Sequence, residues 1–318
     1  MNQVVTAASA VVFAYHNVGV RCLAVLLAHG VKVPLVVTHR DAPGENIWFE
    51  SVAALAERHG IPWIAPEDPN ATDCPARIAS LAPDFIFSFY YRSMLKPALL
   101  AVARRGAFNM HGSLLPKYRG RVPINWAIIH GERETGATLH EMVDKPDAGR
   151  IVDQQAVPIL PDDNALQVFN KVTVAAEIVL DRSLPELCAG TAVLRAQDLS
   201  QGSYFGGRRP EDGRIDWRQG ARAVHDLVRA VAPPYPGAFT QLRERTLRVL
   251  ATRLLEGGPP RGEPALWARG GRCFASCGDG ALLELERLEL DGKPFAAADF
   301  LAIFGERPIT PQPPSGTP

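Results

Sequence analysis

The N-terminal part of the chain alternates patterns typical of buried strands with patterns typical of helices. Short apolar runs predict strands at residues 9–14, 31–38, 61–65 and 84–89. Longer amphipathic stretches between them predict helices at residues 20–29 and 47–59. Strands that alternate with helices pair in parallel, with helices covering both faces of the sheet. The fold class is therefore predicted to be α/β, with a Rossmann-like doubly wound parallel sheet whose ligands bind beyond the carboxyl ends of its strands.

The turn after the first predicted strand argues against a nicotinamide cofactor. Residues 14–19 contain a single glycine, Gly19. A dinucleotide fingerprint needs three glycines there, so that the backbone can turn tightly and approach the pyrophosphate. We therefore expect no NAD at this site.

The composition of the sequence changes near residue 199, where Gly and Pro become frequent and a second domain is predicted to begin. Glycines and a proline within residues 202–210 mark a linker at residues 200–207, between a first domain at 1–199 and a second at 208–306. Short strand patterns at residues 246–252, 273–276 and 281–290 predict a small β-rich second domain. A predicted helix at residues 221–232 would bridge the two, and the Pro-rich tail at 307–318 is expected to be disordered.

Composition excludes several classes of protein. The 318 residues carry 34 basic and 34 acidic side chains, so no net charge draws the chain to nucleic acid or to an anionic membrane. The longest apolar runs fall short of the roughly 20 residues that a membrane span needs, and residues 4–13 lack the basic leader of a signal peptide. The five cysteines are scattered, and Cys273 and Cys277 are not accompanied by the second Cys or His pair that a zinc site needs. We therefore expect a cytoplasmic location, no membrane span and no metal.

Asn109 and His111 are the strongest candidates for chemistry. They end a predicted short strand, and because alternate residues of a strand face the same way, both side chains should point to one place. A carboxamide can stabilise a developing oxyanion and an imidazole can move a proton near neutral pH, which is the combination that acyl transfer needs. Taken alone, the pair also fits an ordinary hydrogen-bonded strand end.

The continuation of this motif resembles a known enzyme family. Residues 113–120, Ser-Leu-Leu-Pro-Lys-Tyr-Arg-Gly, resemble the signature of the folate-dependent formyltransferases, and residues 143–149 resemble their second motif. The resemblance implies that Asn109 stabilises the transition state, that His111 donates a proton, and that Asp147 stabilises the protonated His111. It also implies 10-formyltetrahydrofolate as formyl donor and an open barrel of OB type for the second domain.

The same resemblance implies a set of binding residues. Folate contacts are expected at Ser93, Met94, Leu95, Arg121, Val143, Asp144, Lys145, Pro146 and Asp147. Without the resemblance, Met94 and Leu95 would be predicted to pack in the core. Arg208 and Arg209 are candidates for binding a diphosphate, because guanidinium groups match phosphate oxygens in a bidentate geometry. Solvated surface arginines are the alternative.

Within the family, the sequence is most similar to the formyltransferase half of the bifunctional polymyxin-resistance proteins. The similarity runs from residues 12–16 and 87–92 to residues 229–232, 236–239 and 277–280. It implies formylation of the 4-amino group of UDP-4-amino-4-deoxy-L-arabinose, a step in lipid A modification of lipopolysaccharide and in antibiotic resistance. Those proteins continue into an NAD-dependent decarboxylase, which a separate polypeptide would then supply. The oligomeric state stays open.

Two other functions compete with this one. Relatives that formylate methionyl-tRNA share the motif at 113–120, but usually carry a basic, glycine-rich insertion after the second strand. Here residues 38–46 are short and not basic, and RNA affinity depends on neutralised phosphates, so a small sugar nucleotide is favoured over nucleic acid. A non-catalytic nucleotide-binding module is disfavoured because Asn109, His111 and Asp147 are all present.

Overall fold

A computed structural model describes residues 8–255 and 263–312 of the chain. Residues 4–7, part of the apolar stretch weighed against a signal peptide, lie outside the described residues. The chain divides into two compact units. The first unit comprises residues 1–123, 134–157 and 170–206, and the second comprises residues 124–133, 158–169 and 207–318. The predicted domain limits at residues 199 and 208 stay a prediction.

The first unit is built on a seven-stranded sheet. Its strands are β1 Ser9–Ala14, β2 Lys32–Val37, β3 Trp63–Ile64, β4 Phe85–Phe89, β5 Gly106–His111, β7 Glu134–Glu141 and β8 Ile151–Pro158. They lie in the order β3-β2-β1-β4-β5-β7-β8. The first five pair in parallel, whereas β7 runs antiparallel to β5. The α/β class with a Rossmann-like parallel sheet is confirmed, and the carboxyl ends of β1 to β5 share one edge.

Helices and a small second sheet complete the first unit. The helices of this part of the chain are α1 His16–Ala28, α2 Val52–Arg58, α3 Asp73–Ser80, α4 Pro97–Leu100, α5 Pro123–Ile129 and α6 Ala165–Ala189, and the boundaries between the units run through α5 and α6. The small sheet pairs β6 Arg119–Gly120 with β9 Tyr204–Phe205 in parallel. Segment 200–207, predicted as a linker, therefore contains a strand bonded to the motif at 113–120.

The central strands are buried on both faces, as parallel strands covered by helices must be. Every residue of β4 is buried, Phe85 and Phe87 pack with Phe108 of β5, and Phe89 stacks on Phe87. Gly19 lets α1 approach the sheet, because a Cβ there would lie 3.1 Å from both Ala14 Cβ and Val52 Cγ2. This packing fixes the sheet edge at which β5 ends.

The part of the second unit at residues 207–255 and 263–312 contains an antiparallel sheet and α-helices. Its elements are β10 Ala238–Leu242, β11 Arg245–Leu255, β12 Ala265–Arg269, β13 Arg272–Ser276, β14 Leu282–Leu290, β15 Lys293–Phe295, α7 Ala221–Ala230 and α8 Ala297–Phe304. The strand order is β10-β11-β14-β13-β12, with β15 also paired to β14. The small β-rich domain is confirmed, and its half-barrel sheet fits the OB-like expectation. The predicted helix at 221–232 is α7, and its bridging role stays a prediction.

The prediction of a disordered tail is wrong for residues 309–312. Ile309 and Leu266 exchange backbone hydrogen bonds of 2.8 Å, and Gln312 N–H donates to the Gln241 carbonyl at 3.1 Å. These backbone bonds extend the sheet beyond β12 and so order the chain. Residues 313–318 lie outside the described residues.

Candidate active site

Strand β5 carries Asn109 and His111 to the carboxyl edge of the sheet. Met110 between them points the other way and is fully buried, which leaves its two neighbours on the same face. Asn109 lies opposite His140 of β7 in the antiparallel register. The site is thus assembled between a parallel and an antiparallel neighbour, at the place where the strand direction changes.

Asp147 approaches this edge on the loop that follows β7. Its φ of 52° lies in the left-handed region, which costs a non-glycine residue on the order of 1 kcal/mol or more and is characteristic of functional sites. The Gly120 N–H donates to Asp147 Oδ2 at 2.8 Å. The Gln197 side chain donates to the carbonyls of Asp147 and Gly149 at 3.1 and 2.6 Å. These contacts hold the carboxylate against the two histidines.

His111 is buried, and each of its ring nitrogens faces a different group. Nε2–H donates to the Tyr118 carbonyl at 2.8 Å, and because a carbonyl can only accept, this nitrogen carries a proton. Nδ1 lies 3.6 Å from Asp147 Oδ1, an ion-pair distance. A proton taken up on Nδ1 would therefore face a carboxylate, which stabilises the imidazolium.

His140 belongs to the same cluster, although no sequence motif includes it. The side chain is 2% exposed, and Asn109 Nδ2–H donates to its Nε2 at 3.2 Å, while its Nδ1–H donates to the Glu141 carbonyl at 2.7 Å. Nε2 also lies 3.4 Å from Asp147 Oδ1. The neutral ring accepts a hydrogen bond from Asn109, whereas the protonated ring would donate one to Asp147. The protonation state of Nε2 therefore determines to which of the two residues the ring is bonded.

The electrostatics of the cluster are dominated by the Asp147 carboxylate. Burial alone would raise the pKa of Asp147, because a charge is costly away from water. The facing His111 and His140 and the Gly120 N–H outweigh burial and hold the pKa of Asp147 well below its usual range. The carboxylate is therefore ionised at neutral pH.

The predicted folate residues of the first unit lie in three segments, at residues 93–95, at Arg121 and at residues 143–147. Met94 is 56% exposed and Val143 is 42% exposed, so both side chains are accessible to a ligand. Leu95 instead packs in the core with Leu99, as its alternative prediction stated. Arg121 is exposed and follows β6.

Other predicted folate residues lie near these. Ser93 is half-buried beside Met94. Val143 and Asp144 line a cavity of about 360 Å³, together with Leu100 and Ala107. Lys145 and Pro146 lead from there into Asp147, so segment 143–147 runs from the cavity to the histidines. The folate assignments stay a prediction.

Arg208 and Arg209 belong to the second unit. The Arg208 guanidinium lies over the Trp126 ring at 4.8 Å and donates to the Asp212 carbonyl at 2.7 Å, and burial lowers its pKa. Arg209 is exposed, and its backbone N–H is bonded to Asp212. Arg208 is therefore half-buried rather than a solvated surface arginine.

The described parts of the chain contain neither a cluster of metal-ligating side chains nor a membrane-spanning helix. Across residues 8–255 and 263–312, three or more His, Cys, Asp or Glu side chains nowhere gather as metal ligands would. Within the same residues, no helix has the length and apolar character needed to cross a membrane.

Comparison with known proteins gives the family context of this geometry. Residues 23–184 match the model of the formyl transferase family, and residues 208–305 match the model of the formyl transferase C-terminal domain. An N-formyltransferase from Helicobacter canadensis, solved with folinic acid and dTDP-3-aminofucose, is 20% identical, with 88% of this chain and 99% of that chain covered and a TM-score of 0.70.

Two further solved structures share the fold. WlaRD, a sugar 3N-formyl transferase solved in the presence of dTDP and 5-N-formyl-THF, is 18% identical over 88% of this chain and 98% of its own, with a TM-score of 0.70. HypX from Aquifex aeolicus, solved with tetrahydrofolic acid, is 18% identical over 92% of this chain and 46% of its own, with a TM-score of 0.62.

Proposed function

This chain belongs to the formyl transferase family and is a formyl-transferring enzyme, and from that premise we propose that it passes the formyl group of 10-formyltetrahydrofolate to an amino group on a nucleotide-linked sugar. The observation that carries the proposal is the cluster of Asn109, His111 and Asp147 at the end of β5. The cluster combines a hydrogen-bond donor for an oxyanion, a group that carries a proton and a fixed negative charge.

Asn109 stabilises the charge that develops during the reaction. The sugar amine attacks the formyl carbon, a new C–N bond forms, and the carbonyl electrons move onto oxygen. One Asn109 N–H is held by His140, and the second N–H of the same amide is the donor for this oxyanion. A single donor of this kind typically lowers the barrier by about 3 kcal/mol.

His111 supplies the proton that the leaving group needs. The intermediate collapses when the bond from carbon to the folate nitrogen breaks, and that nitrogen takes a proton as it leaves. The ion-pair distance to Asp147 stabilises the protonated His111, which keeps the donor available. The attacking amine also loses a proton, so the two transfers balance over one turnover.

The finer assignment is that the acceptor is UDP-4-amino-4-deoxy-L-arabinose, formylated on its 4-amino group for lipid A modification. Its support is the resemblance of segments 12–16 and 87–92 to that branch. The Helicobacter canadensis N-formyltransferase was solved with dTDP-3-aminofucose, and WlaRD was solved in the presence of dTDP, which favours a nucleotide-linked amino sugar as the chemical class. A decarboxylase from the same pathway would be a separate polypeptide.

The segment that tRNA-formylating relatives use to grip RNA has the wrong charge here. Segment 38–46 carries one guanidinium, Arg40, against the carboxylates of Asp41 and Glu45. Glu45 is in turn paired with Arg92 at 2.5 Å. A loop with more carboxylates than cations repels a phosphate backbone.

Product masses test this function. The purified enzyme is incubated with 10-formyltetrahydrofolate and either a panel of amino-sugar nucleotides or methionyl-tRNA, with His111→Ala as the matched inactive control. We expect a sugar nucleotide to gain a formyl group and the tRNA to remain unchanged. Formylated tRNA with an unmodified sugar panel would replace the proposed acceptor class.

A further inference from the structure

A second cavity, of about 250 Å³, lies in the first unit at the carboxyl ends of β1, β2 and β3. Three aromatic side chains, Tyr15, Phe49 and Trp63, contribute to its wall. Polar groups of the segments that follow β2 and precede α2 complete it, among them Thr38 and Ser51. The reaction described above uses none of these residues.

The cavity and the catalytic cluster share one edge of the sheet. In the strand order, β1 and β4 separate β2 from β5, which carries Asn109 and His111. Three strand spacings amount to about 14 Å. A ligand that reacts at β5 can therefore reach this cavity only with a part remote from its reacting atom.

We propose that this cavity binds the nucleobase of the sugar-nucleotide acceptor. The inference rests on the proposed function, because it assumes an acceptor whose base is remote from its amine. The volume lies below the 300–1,000 Å³ of a cavity that encloses a whole ligand, so it suits one ring system of a larger molecule. Aromatic walls bind a planar base by stacking, and hydroxyl and amide groups can pair with its polar edge.

The other parts of the two substrates fit this cavity poorly. The pterin ring is joined to the formyl-bearing nitrogen by one methylene group, so it must stay near Asn109. The amino sugar must also lie there, because its amine reacts. Both rings therefore stay near β5, whereas the cavity begins at Tyr15 beyond β1, two strand spacings away, and extends from there to Trp63 of β3.

Charge excludes the anionic parts. The cavity wall holds one guanidinium, Arg40, against the carboxylates of Asp41 and Glu50. His39 adds no charge, because burial lowers its pKa. Its Nε2 accepts a hydrogen bond from the backbone N–H of Arg92 at 3.1 Å. A net negative wall disfavours both the diphosphate and the glutamate tail of the folate, whereas a neutral base meets no such repulsion.

The walls are held in place without a ligand. The Tyr15 hydroxyl donates to Asp41 at 2.6 Å, and the Arg92 guanidinium lies over the Tyr15 ring at 4.5 Å. Phe49 packs edge-on against Tyr15 with ring centroids 5.1 Å apart. A cavity whose aromatic rings are already fixed binds with a smaller loss of conformational entropy.

The experiment compares Phe49→Leu and Trp63→Leu with Trp48→Leu, a neighbouring ring that does not line the cavity. Both cavity rings are half-buried, so these variants should fold. Calorimetry with uridine monophosphate should show affinity weakened about tenfold in the two cavity variants and unchanged in Trp48→Leu. Ribose 5-phosphate, which lacks the base, should bind all four proteins equally.

Steady-state kinetics separate this inference from the proposed function. In the cavity variants, KM for the accepted sugar nucleotide should rise about tenfold while kcat and KM for the folate stay near wild type, because uniform binding is lost. An unchanged sugar-nucleotide KM, or a raised folate KM in its place, overturns the nucleobase assignment. Failure of the wild-type enzyme to formylate any sugar nucleotide overturns the proposed function, whatever the variants do.

Discussion

At the scale of single residues, the Asn109 amide serves the reaction only if it is held in place. One of its N–H groups is bonded to His140, which fixes the plane of the carboxamide. Preorganised donors are effective because they need no reorganisation when charge develops. His140 is therefore a positioning residue for Asn109, whereas Asn109 and His111 are proposed to touch the reacting atoms.

The first prediction concerns those two residues. Asn109→Ala should lower kcat by about 100-fold to 1,000-fold, and His111→Ala by at least about 100-fold, because each removes one contribution to the transition state. Thermal unfolding should show that both variants are folded. Near-normal turnover in either well-folded variant would remove that residue from the mechanism.

The second prediction separates His140→Leu from His140→Gln. Leucine can neither accept from Asn109 nor donate to Asp147, and kcat should fall on the order of 100-fold because the amide is misplaced. Glutamine carries an acceptor and a donor in one group and should recover part of this loss. The folate KM should change little in both variants, and equal kcat for the two would show that only ring volume matters.

The third prediction uses the pKa of Asp147. Burial raises this pKa, and His111 is the largest of the opposing influences, so His111→Gln should raise the pKa of Asp147 toward or above its ordinary value. Carbon-13 NMR titration of the Asp147 carboxyl measures this directly. A carboxyl that titrates at the same pH in both proteins would show that the 3.6 Å pair has no electrostatic effect.

The sign of the pH effect follows from the same interaction. Because the folded-state pKa of Asp147 is depressed, the paired carboxylate contributes stability that is fully present above the unfolded value of about 3.9 and is lost as pH falls toward the folded value. In His111→Gln this contribution should be small or absent, because the folded-state pKa of Asp147 moves toward or above its unfolded value.

The sequence could predict the motif residues but not His140, the residue that bonds to Asn109. Asn109 and His111 are neighbours in a recognisable run, and Asp147 lies in a second one. His140 stands in β7, where nothing in Thr138-Leu139-His140 differs from an ordinary strand. Only the antiparallel register, which places it opposite Asn109, brings it into the site.

At the scale of elements, the two-residue strand β6 supports the Asp147 carboxylate. Gly120 has a φ of 98°, and a Cβ there would lie 2.2 Å from the Phe205 carbonyl oxygen of β9. The same residue donates its N–H to Asp147. The pairing of β6 with β9 thus determines where the Asp147 contact is made, and the close approach requires glycine.

The fourth prediction follows from this contact. Gly120→Ala should cost about 1–3 kcal/mol of stability from its backbone conformation, and the clash should part β6 from β9 and move the N–H away from Asp147. Turnover should fall at temperatures at which the variant is still folded. Gly206→Ala is the matched control, because a Cβ there meets nothing within 4 Å. Equal activities in the two variants would contradict this account.

Other elements show why boundaries are hard to read from sequence. The helix predicted at 47–59 begins at Val52, because the Ser51 hydroxyl accepts the Ala54 N–H as an N-cap and the Glu50 N–H is bonded to Asn17. The apolar residues of segment 47–50 line the second cavity or pack against His16 instead of continuing the helix. Tertiary contacts determine such helix boundaries, and the apolar periodicity of the sequence carries no information about those contacts.

At the scale of the whole molecule, burial leaves several histidines neutral. Burial lowers the pKa of His16 to about 3, and the Arg92 charge adds to this. Burial also lowers the pKa values of His39 in the first unit and His225 in the second. Each of them would titrate near 6.5 in an unfolded chain.

The consequence is a stability that falls with acidification. Between pH 6.5 and the lower folded-state values, the unfolded chain binds protons that the folded chain does not, so unfolding becomes more favourable as pH falls. Each such histidine adds at most about 1.4 kcal/mol per pH unit. Asp147 contributes only at the acidic end of this range, because the pKa of its unfolded-state carboxyl, about 3.9, lies well below 6.5.

The fifth prediction is that His16→Phe flattens this pH dependence. Phenylalanine keeps the ring that stacks on Phe49, with centroids 3.9 Å apart, but cannot take up a proton in the unfolded state. Urea unfolding followed by tryptophan fluorescence at pH 7 and pH 5 should show a smaller loss of stability in the variant than in the wild type. His59→Phe, at an exposed helix end, should keep the wild-type loss. If His16→Phe loses as much stability between the two pH values as the wild type does, then His16 takes up its proton in the folded protein as well.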